Sequence, residues 1–234
     1  MPLILGTNSI KDTGYNVANS CRFNDGSSDY LTHTQSAGNR KTWTWSAWIK
    51  MSNVSTTAQR VFLSHNNTHP STQITIEQNK FTSYHYNGSS IDFILQTNRL
   101  LRDSSSWYHL LVSVDTTQGT ASDRVKLYIN GVQETSFGQS TYPSENFDTE
   151  VNDNGAIAQI SGGGTPASPF GGYMAEVVLI DGQALDPTSF GEFDSDSPNI
   201  WKPKDVSGLT FGTNGFYLDF ENASSLGADV SGNG

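Results

Sequence analysis

Cysteine is almost missing from this chain: Cys21 is the only one in 234 residues, so no intrachain disulfide can form and a small, cross-linked secreted scaffold is excluded. It sits in an alternating apolar run, where a lone thiol serves as a small buried hydrophobe. Positive charge is scarce too. Lys and Arg number 13 against 23 Asp and Glu, a formal charge of −10, which opposes binding to phosphate backbones, so nucleic acid is not an expected partner. The same charge serves solubility. No stretch nears the roughly 20 apolar residues of a membrane span, and no membrane insertion is expected. The opening MPLILG lacks the basic segment and long apolar core of an export signal, and none is read there. The glycosylation sequons at Asn53, Asn66, Asn87 and Asn222 are therefore expected to be incidental.

Helical periodicity is equally hard to find, and two-residue alternation takes its place. Trp107–Asp115 and Val125–Asn130 flank a polar loop, and the second run ends in Asn130-Gly131, the dipeptide best suited to the positive φ angles of a tight hairpin. Tyr108, Leu110, Val112 and Val114 share one face, as do Val125, Leu127 and Ile129, so the stretch predicts three antiparallel strands that need a second sheet to cover them. Across Lys41–Met51 the alternation is cleanest: Trp43, Trp45, Ala47, Ile49 and Met51 point one way, and Trp48 is the odd aromatic on the polar side with Ser46 and Lys50.

Further strands are predicted around Arg22–Asn24, Ser28–Thr32, Arg60–Ser64, Gln73–Gln78, Phe81–Tyr86, Ile91–Gln96, Ala156–Ser161 and Tyr173–Ile180, with a turn at Asn87-Gly88 and an Asp186-Pro187 cap. The fold class is all-β, a two-sheet antiparallel sandwich of jelly-roll type. Residues 1–19 read as an N-terminal arm, 20–193 as the sandwich, and 194–234 as a linker and a short strand bearing Phe216, Leu218 and Phe220. The ending DVSGNG resembles the opening that precedes another unit of the same kind, which implies a chain that continues into a further one.

The runs WYHLLVSVD and LYINGV, together with FNDGSSDYL, TWSAWIK and FGGYMAEVVLIDGQALD in that order, resemble the laminin-G-like branch of the concanavalin A-like lectin/glucanase sandwiches over roughly Ser20 to Phe193. Such sandwiches carry adhesins, lectins, spacers and hydrolases alike. The style of the chain also resembles virion proteins of tailed bacteriophages, capsid decoration or tail-fibre components. That implies a structural and attachment protein on the virion surface, made in the host cytoplasm, with other virion proteins or copies of itself as partners and host-surface glycans as ligands. Rival readings are a polysaccharide hydrolase of the same fold and a free soluble lectin.

The hydrolases of this superfamily set alternate carboxylates on one strand as acid and nucleophile. The nearest string here, Glu192-Phe193-Asp194-Ser195-Asp196, sits among Gly, Ser and Pro, and Glu176 and Asp181 read as structural and turn positions, so no catalytic residue is assigned. His65 and His69 fall in an Asn/Pro loop, and the Gly162–Gly164 run lacks the lysine of a phosphate loop. A sugar site needs an aromatic face flanked by polar groups. Trp48, His109 and Tyr128 lie on the polar sides of their strands and would form one patch with Lys50, Lys126 and Asn130, unless a long loop covers them as a satellite core. Tyr84 and Tyr86 are further candidates. The resemblance also implies a rim Ca²⁺, for which Asp148, Asp153 and Asn154 are the candidate ligands, with a solvated acidic loop as the alternative.

Overall fold

A computed structural model describes residues 15–55, 57–162 and 168–233. Most of the expected arm and the Gly163–Gly164 part of the glycine run lie outside them. In chain order the strands are β1 (Cys21–Phe23), β2 (Leu31–Thr34), β3 (Thr42–Met51), β4 (Gln59–His65), β5 (Ser71–Glu77) and β6 (Lys80–Tyr86). They continue with β7 (Ile91–Leu100), β8 (Tyr108–Asp115), β9 (Val125–Ile129), β10 (Val132–Gln133), β11 (Phe137–Thr141) and β12 (Ile157–Ile160). The last four are β13 (Gly172–Asp181), β14 (Gly191–Phe193), β15 (Trp201–Pro203) and β16 (Phe216–Leu218).

Two sheets result. The first runs β1-β13-β3-β8-β9-β10, with β16 also pairing β13, and the second runs β11-β7-β6-β5-β4-β12-β2. Every strand pair in them is antiparallel. The meander β8-β9-β10 forms as the alternation predicts, and Asn130 (φ +51°) and Gly131 (φ +77°) supply the positive angles of its tight turn. Trp43, Trp45, Ala47, Ile49 and Met51 are all buried, and they meet Phe62, Ile74, Phe81, Phe93 and Leu95 of the second sheet in one core. Apolar burial of this kind is the dominant favourable term holding such a sandwich together.

The chain past residue 193 does not read as a linker once folded. β14 and β15 form a hairpin, pairing Phe193 at the end of the expected sandwich with Trp201 in the expected linker. β16 completes the first sheet: Leu218 pairs with Val177 and Phe216 with Leu179, and Phe216, Leu218 and Phe220 all join the main core. The final segment is pinned there too, since Val230 N–H donates to the Tyr217 carbonyl and Asp229 accepts the Tyr217 N–H at 2.8 Å. A second apolar cluster, built from Leu111, Val178, Ile180, Phe190, Val206, Phe211 and Tyr217, therefore covers much of the outer face of the first sheet. Alternation within one strand cannot reveal such a cover, because the covering residues come from elsewhere in the chain.

Candidate functional site

Register brings the expected aromatic patch together. Trp48 pairs directly with His109, and Leu111, two residues on from His109, pairs with Tyr128. The outer face they occupy is then divided by Trp201. Its indole stacks on His109 with ring centroids 5.9 Å apart, and its Nε1–H donates to His109 Nδ1 at 3.1 Å. An indole nitrogen only donates, so Nδ1 is the bare acceptor and Nε2 carries the proton it donates to Ser46 Oγ at 2.8 Å. His109 is fully buried, and burial pushes its imidazole down to about 3, so it is neutral. The expectation that His109 contacts sugar is corrected: it has no face left for a ligand and belongs to the satellite core.

Two openings remain on either side of Trp201. On one side a cavity of about 260 Å³ is lined by Val17–Ser20, Trp48, Trp107, Ala175 and Pro203. Trp107 is 37% exposed, whereas Trp48 is half-buried with its Nε1 unpartnered among the described residues. Lys50 follows Trp48 on the same face and pairs with Tyr173, which is 38% exposed and pairs in turn with Arg22. Among the described residues neither Arg22 nor Lys50 is in an ion pair. Trp107 was not singled out although it opens the predicted run Trp107–Asp115 in phase with His109, and Tyr173 reads as part of a central apolar run.

On the other side Tyr128 lines a second cavity, also about 260 Å³, with Ser113, Asp115, Gln118, Asp123, Lys126 and Asp186. Here the charges are spoken for: Lys126 pairs with Asp123 at 3.0 Å, and Asp115 accepts from Thr117 and Gln118. Tyr84 and Tyr86 lie on the second sheet, away from this face. Tyr84 donates to Gln73 Oε1 at 2.6 Å, an oxygen that also accepts from Arg60 Nε, and Tyr86 donates to the Gly88 carbonyl while its ring meets His69 edge-on. Both rings are half-buried.

The acidic rim is organised around a cation of the chain's own. Arg40 reaches Glu150 Oε1 at 3.1 Å and Asp153 Oδ1 at 3.0 Å, and its Nε donates to the Thr149 carbonyl at 2.7 Å. Asp148 and Asn154 are exposed. A Ca²⁺ at Asp153 would compete with a guanidinium already seated among the hard oxygen donors it needs, so these residues do not fit the ion. Thermal melting is expected to be the same with excess Ca²⁺ and with chelator, because only a ligand of the folded state shifts the midpoint. A Ca²⁺-dependent rise of several degrees would overturn this.

Of the carboxylates considered for catalysis, Glu192 and Asp194 both contact Lys202 Nζ, at 3.2 and 3.4 Å. Asp181 is buried and accepts from the Asn39 and Asn214 backbone N–H groups and from Asn152 Nδ2. Glu176 sits at a bulge of β13, with φ +50°, where its Oε2 accepts from Tyr217 at 2.6 Å and from Tyr15 at 2.7 Å. Burial pushes its carboxyl above the usual range, with the two hydroxyl donors opposing that rise.

A family model described as the concanavalin A-like lectin/glucanases superfamily matches residues 25–189. Among solved structures, a native heptameric SAP-like pentraxin from Limulus polyphemus is similar at 15% identity and TM-score 0.52, over 73% of this chain and 79% of that one. The enzymatically active domain of bacteriophage CBA120 tailspike protein 2 is similar at 13% identity and TM-score 0.50, over 80% of this chain and 30% of that one. Domains LG4-5 of the mouse laminin α1 chain align at 12% identity and TM-score 0.46, over 85% and 45%. At such identities these likenesses show the fold alone. No curated protein sequence matches the chain. The sandwich topology and a family match across most of the chain lead to one assignment: the protein belongs to the concanavalin A-like lectin/glucanases superfamily, in its laminin-G-like family.

Proposed function

We propose that this protein is a non-catalytic attachment module of a virion, a capsid decoration or tail-fibre component, that binds host-surface glycans through the Trp48–Trp107 cavity. The observation that carries the reading is that cavity itself: two indoles beside the Val17–Ser20 stretch, on a face partly covered by the chain's own apolar cluster. Exposed rings offer the C–H stacking surface that sugars use, at a site small enough for one or two residues of a chain. One such site is weak, and several copies on a particle, or in a homo-oligomer, would supply avidity.

The non-catalytic part of the reading is supported by where the carboxylates sit. A glycosidase needs two of them across one sugar-sized groove. Glu176 lies beneath Tyr15 and Tyr217, and Glu192 and Asp194 share one lysine. On a glycan array, Trp107→Ala and Trp48→Ala are each expected to cut the signal at least tenfold, as loss of a stacking ring does, while Tyr84→Ala leaves it unchanged. No reducing ends should appear when the protein is incubated with the glycans it binds. An array profile indifferent to both tryptophan variants would remove the cavity from the reading, and released reducing ends would remove the word non-catalytic. The virion assignment is checked by finding the chain in purified particles.

A further inference from the structure

We infer that the glycans taken at this end of the first sheet are anionic, carrying a carboxylate on the sugar ring; the inference rests on the Trp48–Trp107 cavity being the sugar contact. Arg22, Tyr173 and Lys50 occupy neighbouring positions on β1, β13 and β3 and project from the same face as Trp48. With strands about 4.8 Å apart, the two cations stand roughly 10 Å from one another with an exposed tyrosine between them. Acidic residues outnumber basic ones 23 to 13, yet these two cations share one patch, and among the described residues neither has an ion pair.

Two like charges left together on one face repel, and a mobile anion between them relieves that repulsion. The geometry suits a ring that stacks on Tyr173 or Trp107 and turns its carboxylate toward Lys50 or Arg22, where the hydrogen bond is charge-assisted. Neutral sugars would gain the stacking and lose the ion contact. The cavity lining adds no carboxylate that would repel such a ligand, whereas the Tyr128 cavity on the far side of Trp201 is lined by Asp115, Asp123 and Asp186.

The test is calorimetric titration of the full chain with galacturonate, glucuronate and mannuronate trimers, each against its carboxyl-reduced, uncharged counterpart. At least one acidic trimer is expected to bind at least tenfold tighter than its reduced form, ~1.4 kcal/mol. Lys50→Gln and Arg22→Gln should shrink that ratio toward one while leaving the reduced trimer's affinity unchanged, which a loss of folding would not do. Equal affinity for acidic and reduced trimers, a ratio indifferent to both substitutions, or failure of every acidic trimer to bind would overturn the inference. In the equal-affinity case, loss of both with Trp107→Ala would leave the sugar cavity standing and discard only its charge preference.

Discussion

Trp201→Ala is expected to destabilise the protein by about 3–5 kcal/mol, the range for removing a large buried aromatic, and to return the His109 imidazole toward its ordinary protonation range. Trp201 is the keystone of the cover over the first sheet. Its ring lies against His109 and Phe193, and it fits into a slot left by two glycines: a Cβ on Gly131 or Gly191 would collide with the indole. Gly131 is doubly constrained, since its φ of +77° is one that side chains other than hydrogen resist.

The pH signature of His109 follows from its burial. The unfolded imidazole takes a proton near 6.5, and the buried one refuses it until about 3. Its contribution to stability is therefore complete above pH 6.5 and drains as pH falls through that window, by about 1.4 kcal/mol per unit. In Trp201→Ala the uncovered ring protonates more readily and the drain should shrink. Chemical unfolding at pH 5 and pH 8, with an NMR titration of His109, measures both. A His109 that still resists protonation in the variant would mean that Trp201 is not what keeps it dry.

Glu176→Gln is expected to abolish a pH dependence of the opposite sign. The Tyr15 hydroxyl, the Tyr217 hydroxyl and Glu176 Oε2 form a triangle, with edges of 2.7, 2.6 and 2.9 Å. Three edges call for three protons. An ionised carboxylate leaves only the two tyrosine protons, so the Tyr15–Tyr217 edge has none, whereas a protonated Glu176 supplies the third. Both desolvation and this count favour the protonated form, in agreement with the raised pKa of Glu176 and with tyrosine hydroxyls that are themselves pushed up by burial.

Since the folded pKa of Glu176 exceeds its unfolded one, its contribution to stability is complete below about 4.5, the ordinary glutamate value, and is lost as pH rises through the folded value. Glutamine keeps an oxygen that accepts from both tyrosines and never ionises. At pH 8 the variant should be at least as stable as the parent, although it forgoes a charged acceptor worth about 1.5–3 kcal/mol in an ordinary hydrogen bond. Between pH 4 and 6.5 it should show the His109 slope undiluted. Urea midpoints that run parallel for the two proteins across pH 4–8 would discard the three-proton ring. The same ring ties Tyr15, just ahead of the Val17–Ser20 wall of the tryptophan cavity, to the central strand, so its state bears on the shape of the proposed sugar contact.

Alternation along Lys41–Met51 and Tyr108–Asp115 was enough to place Trp43, Trp45, Leu110, Val112 and Val114 in the core, because a strand's two-residue period leaves each side chain only two directions. The Asn130-Gly131 turn was equally readable, since its conformation depends on two adjacent residues. The sequence also put Trp48, His109 and Tyr128 on one face. Only the tertiary structure decided which of them a ligand could meet. Trp201 reaches His109 from 92 positions away, Tyr15 reaches Glu176 from 161, and Arg40 reaches Glu150 from 110. Contacts over such separations depend on how loops close across a finished sheet, a property that local periodicity does not encode. The cover, the tryptophan cavity beside it and the cation among the rim carboxylates therefore come into view only when the sandwich is folded.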